Sequence, residues 1–242
     1  MKYFDIICHD NSLPHMNQGP FSLFSFGPSG GITMAIILPS IASANQANLA
    51  GEIHRLGSHP YLHFDLEDGN FVPNITFGIK TVRALRPLTT ASFDAHLMVT
   101  NPMDYIPSLL ALDFRGIAFH WESTGYPLRI IHAIHDGGCR AGIALNPRTC
   151  AQEVIPYLGL VDYLLVMTAE PDGHGDQFQP MVLEKILQLH TAAPDLPIVA
   201  DGAVNSSILP LVCQAGASAV VMGRAVFTAP DPLRAIHEFS NR

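Results

Sequence analysis

The feature that most constrains the fold of this chain is an alternation, repeated eight times, between short apolar segments and longer segments of helical character. The short segments are rich in β-branched and aromatic residues, and a stretch long enough for a helix follows each of them. This alternation is typical of a parallel sheet with helices on its faces. The predicted strands span residues 35–39, 61–65, 92–98, 116–120, 140–145, 163–167, 198–200 and 219–222. The predicted helices span residues 44–56, 79–85, 103–112, 128–135, 151–158, 181–190, 207–215 and 232–239.

Eight strand–helix pairs predict an α/β fold, a single-domain (β/α)8 TIM barrel over residues 34–242. A doubly wound open sheet is the alternative. The dinucleotide-binding glycine fingerprint of such sheets is absent, because the first predicted strand continues Ser40-Ile41-Ala42-Ser43 without a glycine. A chain of 242 residues that is 48% apolar has enough material for one large core, so the barrel is favoured.

Residues 1–33 are predicted to form a poorly ordered N-terminal extension. They contain three prolines and a Gly-Gly pair, and they show no apolar periodicity. Asp5 and His9 interrupt their apolar run, which is unlike a secretory signal. No stretch of the chain reaches the roughly 18 apolar residues that a membrane helix requires. The four cysteines show no paired spacing, so free thiols and a cytoplasmic location are predicted.

The charge of the chain limits its partners. Thirteen Lys and Arg residues against 21 Asp and Glu residues give a formal net charge of −8, and no basic run is present. This composition argues against nucleic acid or an anionic membrane as the main partner. A phosphorylated substrate would therefore need a local positive site.

Polar residues gather at the predicted carboxyl ends of three strands, where catalytic groups lie in barrels. The second strand ends with His63 and Asp65, which share one face because side chains alternate along a strand. The third carries His96 two residues after an aspartate, and the seventh runs into Asp201. Inward-facing charge is costly unless it is paired or bound to a cation, so these four residues are interpreted as metal ligands. The alternative is that the histidines are satisfied in the core and the aspartates cap helices.

Two glycine-containing turns and one long loop predict a site for an anionic substrate. The turns follow the seventh and eighth strands and contain Gly202-Ala203 and Gly223-Arg224. Glycine lets backbone N–H groups approach a phosphate, and these turns form the usual phosphate site of such barrels. Arg224 is interpreted either as an additional phosphate clamp or as a solvated residue at a helix start. The loop of residues 168–177 is long enough to act as a lid or substrate loop.

These motifs resemble the ribulose-phosphate 3-epimerase family. The most specific segment is 63–74, which reads His-Phe-Asp-Leu-Glu-Asp-Gly-Asn-Phe-Val-Pro-Asn and resembles the second-strand signature of that family. Further matching segments are His96-Leu97-Met98, Asn146-Pro147, the loop from Met167, and Asp201-Gly202. The resemblance runs from residue 39 to residue 227, nearly the whole predicted domain. The residues of segments 75–78, 170–173 and 223–224 are most similar to those of a family branch labelled SgcE-like.

The resemblance implies one divalent ion per chain, bound by His63, Asp65, His96 and Asp201. Zn²⁺ is the default, and Fe²⁺, Mn²⁺ and Co²⁺ are alternatives. Asp65 and Asp201 would also be the two acid–base groups. Substrate contacts are implied for Ser40, Met98, Met167, Gly173, His174, Gly175, Gly202, Ala203, Gly223 and Arg224. The two methionines would flank the metal, and the glycine turns would hold the phosphate.

The implied activity is that of an isomerase, a metal-dependent ketose-phosphate 3-epimerase of the ribulose-5-phosphate/xylulose-5-phosphate type. Inverting a carbon beside a ketone requires removal of a proton on one face and delivery of a proton on the other. A metal would stabilise the charge of the enediolate. No predicted strand end carries a lysine, which argues against a Schiff-base lyase. A homo-oligomer is a family-level expectation.

The departures from the family pattern lie around the substrate and not at the predicted ligands. Glu67 stands where the family usually has Met, Ala203 replaces a second Gly, and Arg224 replaces a Ser. The loop at 171–176 lacks two expected glycines. Two other functions therefore stay open: a 3-epimerase of a hexulose phosphate such as allulose 6-phosphate, and a non-catalytic sugar-phosphate-binding barrel. Retention of both aspartates favours catalysis, because a binding protein needs no opposed bases.

Overall fold

The structure, a computed structural model, describes residues 35–171 and 177–241. The predicted extension at 1–33 lies outside the described residues, as do residues 172–176 of the predicted substrate loop. Within the described ranges, no helix combines the length and the apolar character needed to cross a bilayer.

Eight parallel strands are present in the described part of the chain, as predicted. They are β1 (Ile36–Pro39), β2 (Tyr61–Glu67), β3 (Ser92–Met98), β4 (Phe114–His120), β5 (Arg140–Leu145), β6 (Tyr163–Met167), β7 (Ile198–Asp201) and β8 (Ala219–Met222). Their hydrogen-bonded order is β1-β8-β7-β6-β5-β4-β3-β2. β2 is two residues longer than predicted and β7 includes Asp201, so every candidate ligand lies within a strand.

The first and second strands close the sheet into a barrel. They stand at opposite ends of the hydrogen-bonded order, and a parallel bridge between Ser40 and His63 joins them. The backbone N–H of Ser40 also donates to the carbonyl oxygen of Met222 at 3.2 Å, so this residue links β8 to β2. The closure confirms the single-domain TIM barrel and excludes the open sheet. It also brings Ser40 beside the polar end of β2.

The helices follow the predicted alternation with several changes of type and extent. The α-helices of the described residues are α1 (Leu49–Arg55), α2 (Ile79–Leu85), α3 (Ile106–Leu110), α4 (Pro127–Asp136), α5 (Val182–Ala192), α6 (Leu209–Ala215), α7 (Arg224–Phe227) and α8 (Pro232–Ser240). The short helix α7 was not predicted. It begins at Arg224, in agreement with the helix-start interpretation of that residue.

Three predicted helices are wrong in type or length. Residues 151–158 form no α-helix but two 3-10 helices, because Pro156 lacks an N–H and its ring clashes with the preceding turn. Helix 44–56 begins only at Leu49, where the Asn48 side chain accepts from the Gly51 N–H at 3.2 Å and caps the helix. Helix 103–112 is reduced to Ile106–Leu110.

Packed side chains fill the barrel interior. Tyr163 lies among Leu38, Leu165, Val199 and Val221. It fits because Gly142 has no side chain: a Cβ atom there would lie 2.4 Å from Cζ of the tyrosine. The interior is therefore a core and not a pore, and only its carboxyl-end mouth is available for chemistry.

Candidate active site

The four candidate ligands converge at the carboxyl end of the barrel. His63 and Asp65 lie on β2, His96 lies on β3, and Asp201 ends β7. Both histidines are fully buried, and each aspartate is 8% exposed. One ligand atom from each residue lies within 4.8 Å of the other three. The structure thus brings together the side chains that the sequence predicted as one site.

The inward nitrogens of both histidines face the same two carboxylate oxygens. Nδ1 of His96 is 3.2 Å from Oδ1 of Asp65 and 3.0 Å from Oδ2 of Asp201. Nε2 of His63 is 3.2 Å and 3.8 Å from these same two oxygens. Two nitrogens and two oxygens therefore surround a common point.

Asp94 fixes the ring of His63. Nδ1 of His63 is 2.5 Å from Oδ2 of Asp94, so the Nδ1–H donates to this carboxylate. The lone pair of Nε2 is then directed at the common point. A carboxylate partner on the outer ring nitrogen is what orients metal-binding histidines in general.

Two residues that the sequence analysis missed support the ring of His96. Nε2 of His96 is 2.8 Å from Nε2 of His120, and Nδ1 of His120 is 3.0 Å from Oε2 of Glu122. His120 ends β4 and is fully buried. A histidine at a strand end with a carboxylate two residues later repeats the spacing seen in β2. That spacing was the available signal.

The electrostatics of the four ligands call for positive charge at the common point. Burial lowers the pKa of His63, but Asp94 and Asp65 outweigh it and raise this pKa well above its usual value. Burial also lowers the pKa of His96, whereas Asp201 and Asp65 raise it to about 9. Burial raises the pKa of Asp65, and the imidazoles of His63 and His96 outweigh it and hold this pKa below its usual range. Either protons on the two rings or one divalent cation supplies the charge.

His120 and Glu122, which lie outside the four candidate ligands, both have lowered pKa values. Burial, together with His96, lowers the pKa of His120 to about 4 despite the hydrogen bond to Glu122. The pKa of Glu122 falls to about 2, because hydrogen bonds from His120, Thr149 and Asn146 outweigh its burial. At neutral pH His120 is therefore neutral and Glu122 is ionised.

The donor set fits a divalent metal. Imidazole nitrogens and carboxylate oxygens are common ligands of Zn²⁺ and of its first-row neighbours. Two carboxylates balance the charge of the ion, and both rings hold their outer nitrogens in hydrogen bonds, as metal-binding histidines do. An ion at the common point would take the place of the two ring protons. Zn²⁺, Fe²⁺, Mn²⁺ and Co²⁺ share this donor preference, so the donor set does not distinguish among them.

Two further polar side chains border the ligands. The hydroxyl of Ser40 donates to Oδ2 of Asp65. Glu67 lies on the same face of β2 as Asp65, is half-buried, and accepts from Nδ2 of Asn74 at 2.6 Å. Burial and the charge of Asp65 raise the pKa of Glu67 to about 7. Glu67 thus places a third carboxyl group at the mouth, where the family pattern has Met.

The predicted methionines lie at the ends of β3 and β6. Met98 pairs with Glu67 in the β2–β3 register, and Met167 pairs with Asp201 in the β6–β7 register. Both are buried. The flanking role implied for these two methionines stays a prediction.

The predicted phosphate turns follow the adjacent strands β7 and β8. Gly202 and Ala203 have φ values of 114° and 53°, in the left-handed region that favours glycine. A Cβ atom on Gly202 would lie 2.8 Å from the backbone nitrogen of Ala169, and one on Gly223 would lie 2.1 Å from Oγ of Ser43. The backbone of Ala169 therefore favours glycine at position 202, and the side chain of Ser43 favours glycine at position 223. Gly173, His174 and Gly175 lie outside the described residues.

Comparison with known proteins extends the resemblance over most of the chain. A family model described as the ribulose-phosphate 3 epimerase family matches residues 36–227. The cytoplasmic isoform of ribulose-phosphate 3-epimerase from Oryza sativa subsp. japonica is 40% identical over 205 residues, which cover 82% of this chain and 90% of the relative. The ribulose-phosphate 3-epimerase of Bacillus subtilis (strain 168) is 38% identical over 212 residues, 85% of this chain and 98% of the relative.

A solved structure supports the fold. Orotidine 5′-phosphate decarboxylase from Pyrococcus horikoshii OT3 matches with a TM-score of 0.60 over 85% of this chain and 98% of its own. Its sequence identity is 12%, so this likeness concerns the fold alone. The family model and the relatives, in contrast, match the sequence itself across the barrel, and this chain therefore belongs to the ribulose-phosphate 3-epimerase family of isomerases.

Proposed function

We propose that the protein is a metal-dependent ketose-phosphate 3-epimerase that interconverts ribulose 5-phosphate and xylulose 5-phosphate. One observation carries the proposal. Asp65 and Asp201 come from separate strands, yet both place a carboxylate oxygen within 3.2 Å of the same nitrogen of His96. The names of the relatives agree with this activity.

Epimerisation at carbon 3 requires a proton to leave one face of the sugar and another to arrive on the opposite face. A single fixed base reaches only one face, so two acid–base groups are required. Asp65 on β2 and Asp201 on β7 are three strands apart around the barrel, counted through β1 and β8. We assign one face of the sugar to each of them.

The surroundings hold both carboxylates before the substrate arrives. Ser40 donates to Oδ2 of Asp65, which leaves Oδ1 facing the common point. The N–H of Thr168 donates to the carbonyl oxygen of Asp201 at 2.6 Å and fixes the end of β7. Such preorganisation lowers the cost of rearrangement during the reaction. A divalent cation held by the four ligands would stabilise the negative charge that develops on the substrate oxygens.

We assign the phosphate to the turns after β7 and β8. Gly202 and Gly223 let backbone N–H groups come close to an anion, and Arg224 is exposed beside them. A local site of this kind is needed because the chain has a formal net charge of −8. The phosphate and the reacting carbon would then be held by different strands.

A screen of ketopentose and ketohexose phosphates in deuterated solvent tests the function. Exchange and inversion at carbon 3 are followed by NMR, with the metal content of the protein measured alongside. We expect both processes with ribulose 5-phosphate. Faster turnover of allulose 6-phosphate would move the assignment to a hexulose phosphate.

Binding without exchange for every sugar would support the non-catalytic barrel instead. Asp136→Asn provides the matched control for variants of the two aspartates, because Asp136 is exposed at the end of α4. Its turnover should equal that of the wild type.

A further inference from the structure

We propose that His120 and Glu122 are positioning residues that hold His96 in the tautomer able to bind the metal. The inference rests on the proposed metal centre and adds two residues outside its ligand set. Its basis is a continuous chain of hydrogen bonds from His96 through His120 to Glu122, with distances of 2.8 Å and 3.0 Å.

A backbone group fixes the direction of this chain at its outer end. Oε1 of Glu122 accepts from the backbone N–H of Asn146 at 2.9 Å and from the hydroxyl of Thr149. A backbone N–H can only donate, so Glu122 must accept there. Nζ of Lys185 donates to the carbonyl oxygens of Asn146 and Pro147 at 2.6 Å and 2.8 Å and holds this segment in place.

The acceptor character of Glu122 determines the position of each proton further inward. Because Oε2 of Glu122 accepts, Nδ1 of His120 carries the proton and donates it. With its proton on Nδ1, the ring of His120 offers the lone pair of Nε2 to the Nε2–H of His96. His96 in turn has its lone pair on Nδ1, the atom that faces Asp65 and Asp201.

Among the described residues, the two rings bond each other, and their outer nitrogens face Asp65 and Asp201 at His96 and Glu122 at His120. Both histidines are fully buried, and the ring of Phe71 lies 4.7 Å from that of His120, measured between centroids. Reversal of one tautomer would place two protons or two lone pairs against each other. The protons of this hydrogen-bond chain can therefore be arranged in two directions. Only one of them leaves the Nδ1 lone pair of His96 available to a metal.

Glu122→Gln tests this because glutamine has one acceptor oxygen and one donor NH₂ group. The Asn146 N–H claims the oxygen, so the NH₂ group faces Nδ1 of His120. His120 must then accept at Nδ1 and donate from Nε2, which moves the proton of His96 to Nδ1. The ligand lone pair is lost while the size of the side chain is kept.

The measurement is the affinity for Zn²⁺, determined by competition with a chelator. We expect Glu122→Gln to bind roughly 10–100-fold more weakly than the wild type. Long-range ¹H–¹⁵N spectra of the imidazoles should show the proton of His120 on Nε2 in place of Nδ1. Glu153→Gln is the matched control, because Glu153 accepts from Nε1 of Trp121 at 3.0 Å and is not part of the hydrogen-bond chain from His96 to Glu122. Its Zn²⁺ affinity should equal that of the wild type.

His120→Phe gives an independent route, since phenylalanine fills similar space but accepts no hydrogen bond from His96. We expect weaker Zn²⁺ binding again, and addition of Glu122→Gln should cause no further loss. Additive losses, or an unchanged Zn²⁺ affinity of Glu122→Gln, would overturn the inference alone. A wild type that binds no divalent ion would overturn the metal centre and this inference with it.

Discussion

Two parts of the barrel mouth differ in the groups that they present: one presents side chains and the other presents backbone. The imidazole half, made of His63, Asp65, His96 and His120 on β2, β3 and β4, consists of buried side chains in contact with one another. The glycine half, made of Gly202, Ala203 and Gly223 after β7 and β8, offers backbone groups. Asp201 ends β7 and reaches across to His96 at 3.0 Å.

The difference predicts how each half responds to substitution. In the imidazole half, loss of one side-chain atom removes a ligand or a proton acceptor, so function should fail while the fold survives. In the glycine half, Gly202 and Ala203 have left-handed backbone, and a Cβ atom on Gly202 or Gly223 would clash with its neighbours. Substitutions there should change stability and substrate binding, with smaller effects on the chemical step.

The largest effect is expected from removal of the proposed metal. Chelation should abolish turnover, and His96→Ala should lose the metal without unfolding, because the barrel core does not depend on this ring. Metal content by mass spectrometry, turnover and circular dichroism test the three parts. His135→Ala is the control, since His135 is exposed and bonds Asp162 at 2.9 Å on the outer surface. Turnover that persists in metal-free protein would remove the metal from the mechanism.

The second-largest loss of turnover is expected from substitution of the two aspartates. Asp65→Asn and Asp201→Asn are each expected to reduce turnover by roughly 10²–10⁴-fold, and the double variant should be little worse, because the two groups would act as one unit in the proposed mechanism. With the metal retained, each single variant should still exchange the C3 proton of one epimer with solvent. NMR in deuterated solvent resolves this one-sided exchange. Full epimerisation by either variant would contradict the two-base mechanism.

The sequence predicted the strands and the grouping of the four candidate ligands because both follow from local alternation and from the positions of strand ends. The two-residue alternation that defines β2 also places His63 and Asp65 on one face. The contact of Ser40 with Asp65 depends on closure between the first and second strands, which no local pattern contains. The partnership of His120 with His96 likewise depends on ring orientations across β3 and β4.

The helices were less predictable for a related reason. Apolar periodicity in 151–158 suggested a helix, but the backbone effect of Pro156 outweighed it. Helix α7 is only four residues long and carries too little periodicity to be detected. This helix directly follows the turn at Gly223, one of the two turns proposed to hold the phosphate.

In the glycine half, Gly223→Ala is expected to destabilise the protein by about 1–3 kcal/mol through overpacking. The new Cβ atom would lie 2.1 Å from Oγ and 2.7 Å from Cβ of Ser43, so the turn after β1 must move. KM should rise more than kcat falls, because the phosphate binding proposed for this turn would be shared by ground state and transition state. Urea unfolding and steady-state kinetics measure both effects.

Gly159→Ala is the matched control for that substitution. Among the described residues, only neighbours along the chain lie within 4 Å of the position that its Cβ would take. The free energy of unfolding should therefore change by less than about 0.5 kcal/mol. Equal destabilisation by the two variants would show that the turn after β8 has no special need for glycine.

The smallest effect concerns Ala203, the residue of the glycine half that has a side chain at a positive φ of 53°. Left-handed backbone costs an L-residue roughly 1–2 kcal/mol, whereas glycine adds roughly 0.5–1 kcal/mol of unfolded-state entropy. Ala203→Gly should therefore stabilise the protein by up to about 1 kcal/mol in urea unfolding. Ala235→Gly, in the middle of α8, should destabilise it by about 1 kcal/mol. Opposite signs for the same chemical change would show that backbone conformation governs this turn, and destabilisation at both positions would place the Ala203 methyl group among the packing contacts instead.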